Sequence, residues 1–184
     1  MEEFRKITLL IILLLGLTAL SLKSWGAFLT SGNSAPNFLV ESGNNQKLSL
    51  DMIRGRVIVL FYESRHEIRK NIELKNELKG VYQAQPEDIK QKIFRLVVID
   101  CSTAVWPTTP IWKSKLNEHS RKEGFTIYGD WSRKMLGDYH MKADDSNFLI
   151  IDKRGFIRYV ATGRISHDQF EKIKEFLYTL VREE

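Results

Sequence analysis

The sequence predicts an α/β fold in which a mixed β-sheet carries helices on both faces. Three observations lead there. The runs "VIVLFY" and "FRLVVID" are rich in β-branched and aromatic residues with no polar alternation, the pattern of strands buried on both faces. The segment "NFLIID-KRG-FIRYVATG" is two strands about a tight turn. Between and after these runs lie stretches whose apolar residues recur at helical spacing, ending with Phe170, Ile173, Leu177, Leu180 and Val181 on one face. Strands that alternate with helices bury both element types in a layered sandwich.

Taken in order, the chain opens with "MEEFRKITLLIILLLGLTALSLKSWG", a charged start, an apolar run from Ile7 to about Leu22, then small and polar residues. This reads as an export signal over residues 1–26. The apolar run is near the short limit for crossing a bilayer, roughly 20 residues, so a cleaved signal peptide is favoured over a retained anchor. Residues 27–36 read as a linker and residues 37–184 as one domain, because single cores commonly need roughly 100 to 150 residues. "FLV", the turn "ESGNNQ" and Lys47 to Leu50 form an N-terminal hairpin. After the first buried strand, Ser64 and Glu67 make a Ser-x-x-Glu capping box, so a helix is expected just after Ser64, with Ile68, Ile72, Leu78 and Val81 on one face. Pro86 opens a short helix, the second buried strand ends at Asp100, and a further helix runs from near Thr109 and Pro110 to Gly124. "FTIYGD" is a strand, Ser132 caps a short helix, and Ser166 with Gln169 caps the last one.

The formal net charge is +5, from 28 basic and 23 acidic residues. Without residues 1–26 it is 25 against 21, or +4, with both signs scattered. No basic block suggests nucleic acid, and export argues against it too. The single cysteine, Cys101, excludes an internal disulfide. There is no phosphate-cradling Gly loop, no Gly-x-Ser-x-Gly elbow and no His-Glu-x-x-His, so the common hydrolase signals are missing and no cofactor is expected.

The element order, with "LSLDMIRGRVIVLFY" near the start and "FLIIDKRGFIRYVATG" near the end, resembles the redoxin or TlpA-like branch of the thioredoxin superfamily, from about Ala35 to Val181. Within it, "IWKSKLNEHSRKEG", "FTIYGD" and "DDSNFLIIDKRGFIRYVATGRIS" are similar to the YtfJ-like family of exported bacterial proteins without the cysteine pair. The resemblance implies a thioredoxin-like fold and a periplasmic location rather than a particular reaction. It also places His66 and Arg69, or residues one step away, where active redoxins carry Cys-x-x-Cys. Dithiol exchange needs one thiolate to attack and a second thiol to resolve, and neither imidazole nor guanidinium does this. The loop that carries a cis-proline in redoxins is here "KADDSN", with no proline.

Candidate sites follow. Arg65, His66, Arg69 and Lys70 crowd the expected helix N-terminus, where cations cost stability and a bound carboxylate or phosphate relieves them; basic side chains solvated by water are the plainer reading. No second histidine stands at ligand spacing to His66, so no metal is expected. Parallel buried strands put Cys101 on the same sheet edge as "SRHEIR", where nearby cations lower a thiol pKa; the alternative is a small buried apolar residue. Asp144 and Asp145, in the loop facing that edge, are a weak metal or acid/base pair; a solvated loop is the plainer reading. Trp106, Trp112 and Trp131, with Pro107 and Pro110, form either an aromatic lip for a partner or core. The expected function is a binding module without dithiol chemistry, using Ser64, Arg65, His66, Arg69 and Asp145 for an unidentified protein or a small anionic ligand. The membrane is touched only through an uncleaved N-terminal segment. The rival is a one-cysteine thiol enzyme using Cys101 on peroxide or disulfide.

Overall fold

The computed structural model describes residues 31–183, and the predicted export segment, residues 1–26, lies outside them. Seven strands form one sheet: β1 (Leu39–Ser42), β2 (Lys47–Ser49), β3 (Val57–Glu63), β4 (Ile93–Asp100), β5 (Tyr128–Asp130), β6 (Ser146–Ile151) and β7 (Ile157–Thr162). Helices α1 (Ile72–Gln83), α2 (Glu87–Gln91), α3 (Thr109–Glu123), α4 (Lys134–Asp138) and α5 (His167–Arg182) connect or follow them. The strand order is β2-β1-β5-β4-β3-β6-β7. The β3–β4 and β4–β5 pairs are parallel, and the others are antiparallel.

The central position of β3 explains its composition. All seven of its residues are buried, because β4 and β6 flank it and side chains leave it alternately to two cores. Ile58, Leu60 and Tyr62 pack with Val40 and Leu48 of the hairpin and with Met135 at α4. Val57, Val59 and Phe61 pack on the opposite face with Leu74 and Leu78 of α1 and with Phe170, Ile173, Leu180 and Val181 of α5. A third cluster, Ile99, Cys101, Leu116 and Ile127, lies under α3. Helices thus occupy both faces, with the longer ones on the Phe61 side.

The polar lead that reads as a linker is packed where it is described. The Gly32 and Ala35 amides donate to Ile157 and Gly155 carbonyls, the Ile157 amide donates to Asn33, and Ala35 is buried. This stretch covers the turn before β7, and its backbone pairing outweighs its polar composition.

The two capping boxes have opposite fates. At Ser166 the hydroxyl accepts from the Gln169 amide at 3.3 Å, while Gln169 Oε1 accepts from the Ser166 amide at 2.9 Å. Ser166→Ala is expected to cost about 1 kcal/mol, read as a lower urea midpoint with an unchanged slope. At Ser64 no helix begins. Residues 64–71 are consecutive turns, with the Glu67 amide donating to Ser64, Lys70 to Glu67 and Ile72 to Arg69, and α1 starts only at Ile72. The reason is tertiary. The Ser64 amide is taken by the Asp145 carbonyl, the Glu67 carboxylate pairs with Lys70 at 2.9 Å, and Asn71 is held by the far end of β7. Arg65, His66 and Arg69 therefore do not sit on a helix N-terminus, and the dipole argument for an anion there fails.

Candidate functional site

Because β3 and β4 are parallel and paired Glu63 to Ile99, both C-terminal ends reach the same edge. Glu63 closes β3 with no exposed surface. Lys75, one turn into α1, folds back to it, with Nζ donating to Oε1 at 3.1 Å, to Oε2 at 2.9 Å and to the Ile68 carbonyl at 2.5 Å. Ser146 Oγ donates to the same carboxylate at 3.2 Å. Burial raises the Glu63 carboxyl above its usual range, and the Lys75 charge opposes that shift. The pair was missed in the sequence, although a glutamate ending the apolar run "VIVLFYE" was its visible sign.

The loops expected to share this edge do meet. Lys70 Nζ donates to Asp145 Oδ1 at 2.6 Å, Lys142 Nζ stands 2.9 Å from Oδ2, and the Ser146 amide donates to Oδ1 at 2.9 Å. These bonds, that from Lys70 above all, hold the Asp145 carboxyl well below the ordinary carboxylate range. Asp145 is buried and fully engaged, whereas Asp144 is exposed. Ser64 is buried beside it, and its hydroxyl has no hydrogen-bond partner among the described residues. His66 and Arg69 are exposed, and Arg65 lays its guanidinium 5.0 Å from the centre of the Trp112 ring. Asn71 ties the loops together: Nδ2 donates to Ser146 Oγ at 3.0 Å and to the Gly163 carbonyl at 2.8 Å, while Oδ1 accepts from the Ile165 amide at 2.9 Å.

Cys101 lies at this edge but in surroundings opposite to those that activate a thiol. It is 2% exposed among Ile99, Leu116 and Ile127, and burial followed by the charges of Asp100 and Asp130 pushes it up to about 12. Those carboxylates come from the ends of β4 and β5, a pairing invisible in the sequence. The tryptophans do not form a lip. Trp106 is 83% exposed, Trp112 is half-buried under Arg65, and Trp131 donates from Nε1 to the Glu41 carbonyl of β1 at 2.9 Å.

Beside the edge, α1 and α3 stand apart over the sheet and leave a groove of ≈ 440 Å³. Phe61, Val97, Ile99 and Cys101 form its floor, Ile72 and Leu116 its walls, and Arg65 and Trp112 its end. Among the described residues no group of three His, Cys, Asp or Glu side chains is placed to hold a metal ion, and no helix is long and apolar enough to cross a membrane.

Solved structures with this architecture decide its name. The fold is thioredoxin-like. A candidate thiol:disulfide interchange protein, DsbE, from Chlorobium tepidum matches with a TM-score of 0.62 at 16% identity, over 83% of this chain and 99% of that one. An exposed lipoprotein thioredoxin from Streptococcus pneumoniae matches with 0.56 at 16%, over 79% and 100%. A thiol peroxidase from Chromobacterium violaceum matches with 0.57 at 14%, over 84% and 89%. No family model and no curated protein matches the chain. In this thioredoxin-like domain the β3–α1 junction holds turns and no sulfur, since the one cysteine lies after β4.

Proposed function

We propose that the chain is an exported, periplasmic binding module of the YtfJ-like kind, a thioredoxin-like domain without dithiol redox activity. The observation that carries this reading is the state of Cys101, the sole thiol, enclosed and pushed up to about 12. Neither a nucleophilic thiolate nor a resolving partner is at hand. Export is supported by residues 1–26 of the sequence, with a charged start and an apolar run. Binding is assigned to the β3–β4 edge. Arg65, His66 and Arg69 are exposed there, Arg65 resting on the Trp112 ring, and Ser64 and Asp145 position the loop beneath them. The occupant is a small anionic ligand or an acidic protein surface.

The rival, a one-cysteine thiol enzyme, is favoured only by the thiol chemistry named for its structural neighbours. Alkylation of Cys101 as a function of pH separates the two, with Cys101→Ser as the blank. The binding module predicts labelling on unfolding and almost none on the native chain near neutral pH. Rapid native labelling, with an apparent pKa below the free-thiol value of about 8.5, would replace the module with the enzyme.

A further inference from the structure

We propose that the groove between α1 and α3 takes an anionic amphiphile, an apolar chain or ring that ends in a carboxylate; this rests on the binding-module reading and gives it a ligand class. The volume of ≈ 440 Å³ falls within the roughly 300–1,000 Å³ of small-molecule sites. Its floor and walls are apolar, with Phe61, Val97 and Ile99 from the sheet and Ile68, Leu116 and Phe125 around them. Apolar surface left open between two helices is unusual unless something covers it.

The charge at its rim says what kind of molecule fits. Five cations line the groove, Arg65, Lys75, Lys79, Arg95 and Lys115, against two carboxylates, Glu63 and Glu123. Lys75 is committed to Glu63 and Lys79 to Glu123, at 2.9 and 3.5 Å. Among the described residues Arg65, Arg95 and Lys115 have no ion-pair partner. Arg65 rests on Trp112, and Arg95 lies between Tyr82 and Phe125 at 4.4 and 4.8 Å from the ring centres. Aromatic stacking fixes a guanidinium without neutralising it, so both arginines stay available to a carboxylate. An apolar body over Val97 and Ile99 puts its head group within the field of these cations. A neutral chain gains nothing from them, and a cationic one is repelled.

The test is a titration followed by backbone amide shifts in two-dimensional NMR. It uses the chain as processed by the expressing cell, purified free of detergent, with decanoate and decyltrimethylammonium below their micellar concentrations and decanol below its solubility limit. The expected result is saturable movement of the Ile68, Val97, Ile99 and Leu116 amides by decanoate, with the cationic chain binding at least about tenfold more weakly. Arg65→Gln with Lys115→Gln, both exposed positions, is expected to weaken decanoate by about tenfold and leave decanol unchanged. The same spectra report whether the double variant is folded. Equal binding of all three chains, no movement of the groove amides, or movement by an acidic amphipathic peptide and not by decanoate would each overturn the proposal. Failure here leaves an unreactive Cys101, and with it the parent reading, intact; rapid native labelling of Cys101 removes the parent reading.

Discussion

Replacing Lys75 by methionine is expected to cost about 3–5 kcal/mol of folding stability near neutral pH, because it strands the Glu63 carboxylate without its cation. Glu63 has no exposed surface, and Lys75 contacts both of its oxygens. Methionine keeps most of the hydrocarbon length, so the loss is chiefly that of the ammonium, which also leaves the Phe61 ring and the Ile68 carbonyl. What remains to the carboxylate is one hydroxyl, Ser146 Oγ at 3.2 Å. The dependence on pH separates this cause from a packing defect. Burial already raises the Glu63 carboxyl, and Lys75 is the first of the groups that restrain it, so the variant's carboxyl rises further. A group whose folded pKa lies above its unfolded value contributes stability that is present below the unfolded value and lost as pH rises through the folded one. The deficit is therefore expected to be larger near pH 8 than near pH 5, measured by urea unfolding at both. Glu63→Gln in the Lys75→Met background should recover most of the loss, since it removes the stranded charge. A deficit that ignores pH and survives that second substitution would assign the loss to packing instead.

Much of the fold was legible because its signals are local. The strands β3 and β4, the β6–β7 hairpin and the Ser166–Gln169 cap each depend on residues near one another in sequence, and each forms as expected, although β4 is buried less than its apolar run suggests because Arg95 and Val97 face the groove. The Ser64–Glu67 box has the same local signature and fails, because Asp145, from the loop before β6, claims the Ser64 amide. Nothing between Ser64 and Glu67 reports that contact. The candidate site shows the same division. That Cys101 follows β4 at the edge shared with Ser64 and Arg65 could be read from two parallel strands. That its neighbours are Asp100 and Asp130 rather than cations depends on the register of β5 against β4. The groove is less legible still, because it exists only once α1 and α3 are laid side by side over Phe61 and Val97. The basic residues that rim it are scattered from Arg65 to Lys115 and form no run in the sequence.

Asn71→Ala is expected to destabilise the domain by about 3 kcal/mol and to open the edge before the sheet unfolds. The Asn71 side chain is buried at the start of α1, yet it caps nothing in that helix. It spends both ends on the opposite loop, donating to Ser146 Oγ and the Gly163 carbonyl and accepting from the Ile165 amide. Alanine removes all three bonds. Ser146 Oγ keeps Glu63, so the stranded groups are the Gly163 carbonyl and the Ile165 amide, each costing about 1–3 kcal/mol when left dry. Together they come to about 2–6 kcal/mol, and water entering the space lowers that to about 3 kcal/mol. The consequence is directional. The Ile165 amide should pass from slow to fast hydrogen exchange, while amides in the centre of β3, such as Leu60, slow down or speed up only with global stability. Asn71→Asp keeps an acceptor for Ile165 but cannot donate to Gly163, and it brings a second carboxylate toward Glu63. It should therefore protect Ile165 better than alanine does while remaining destabilising. If the Ile165 and Leu60 amides change together in Asn71→Ala, the loops around the edge unfold only with the sheet. Separate loss at Ile165 would mean that this one side chain holds Ser64 and Arg65 in place beside the groove.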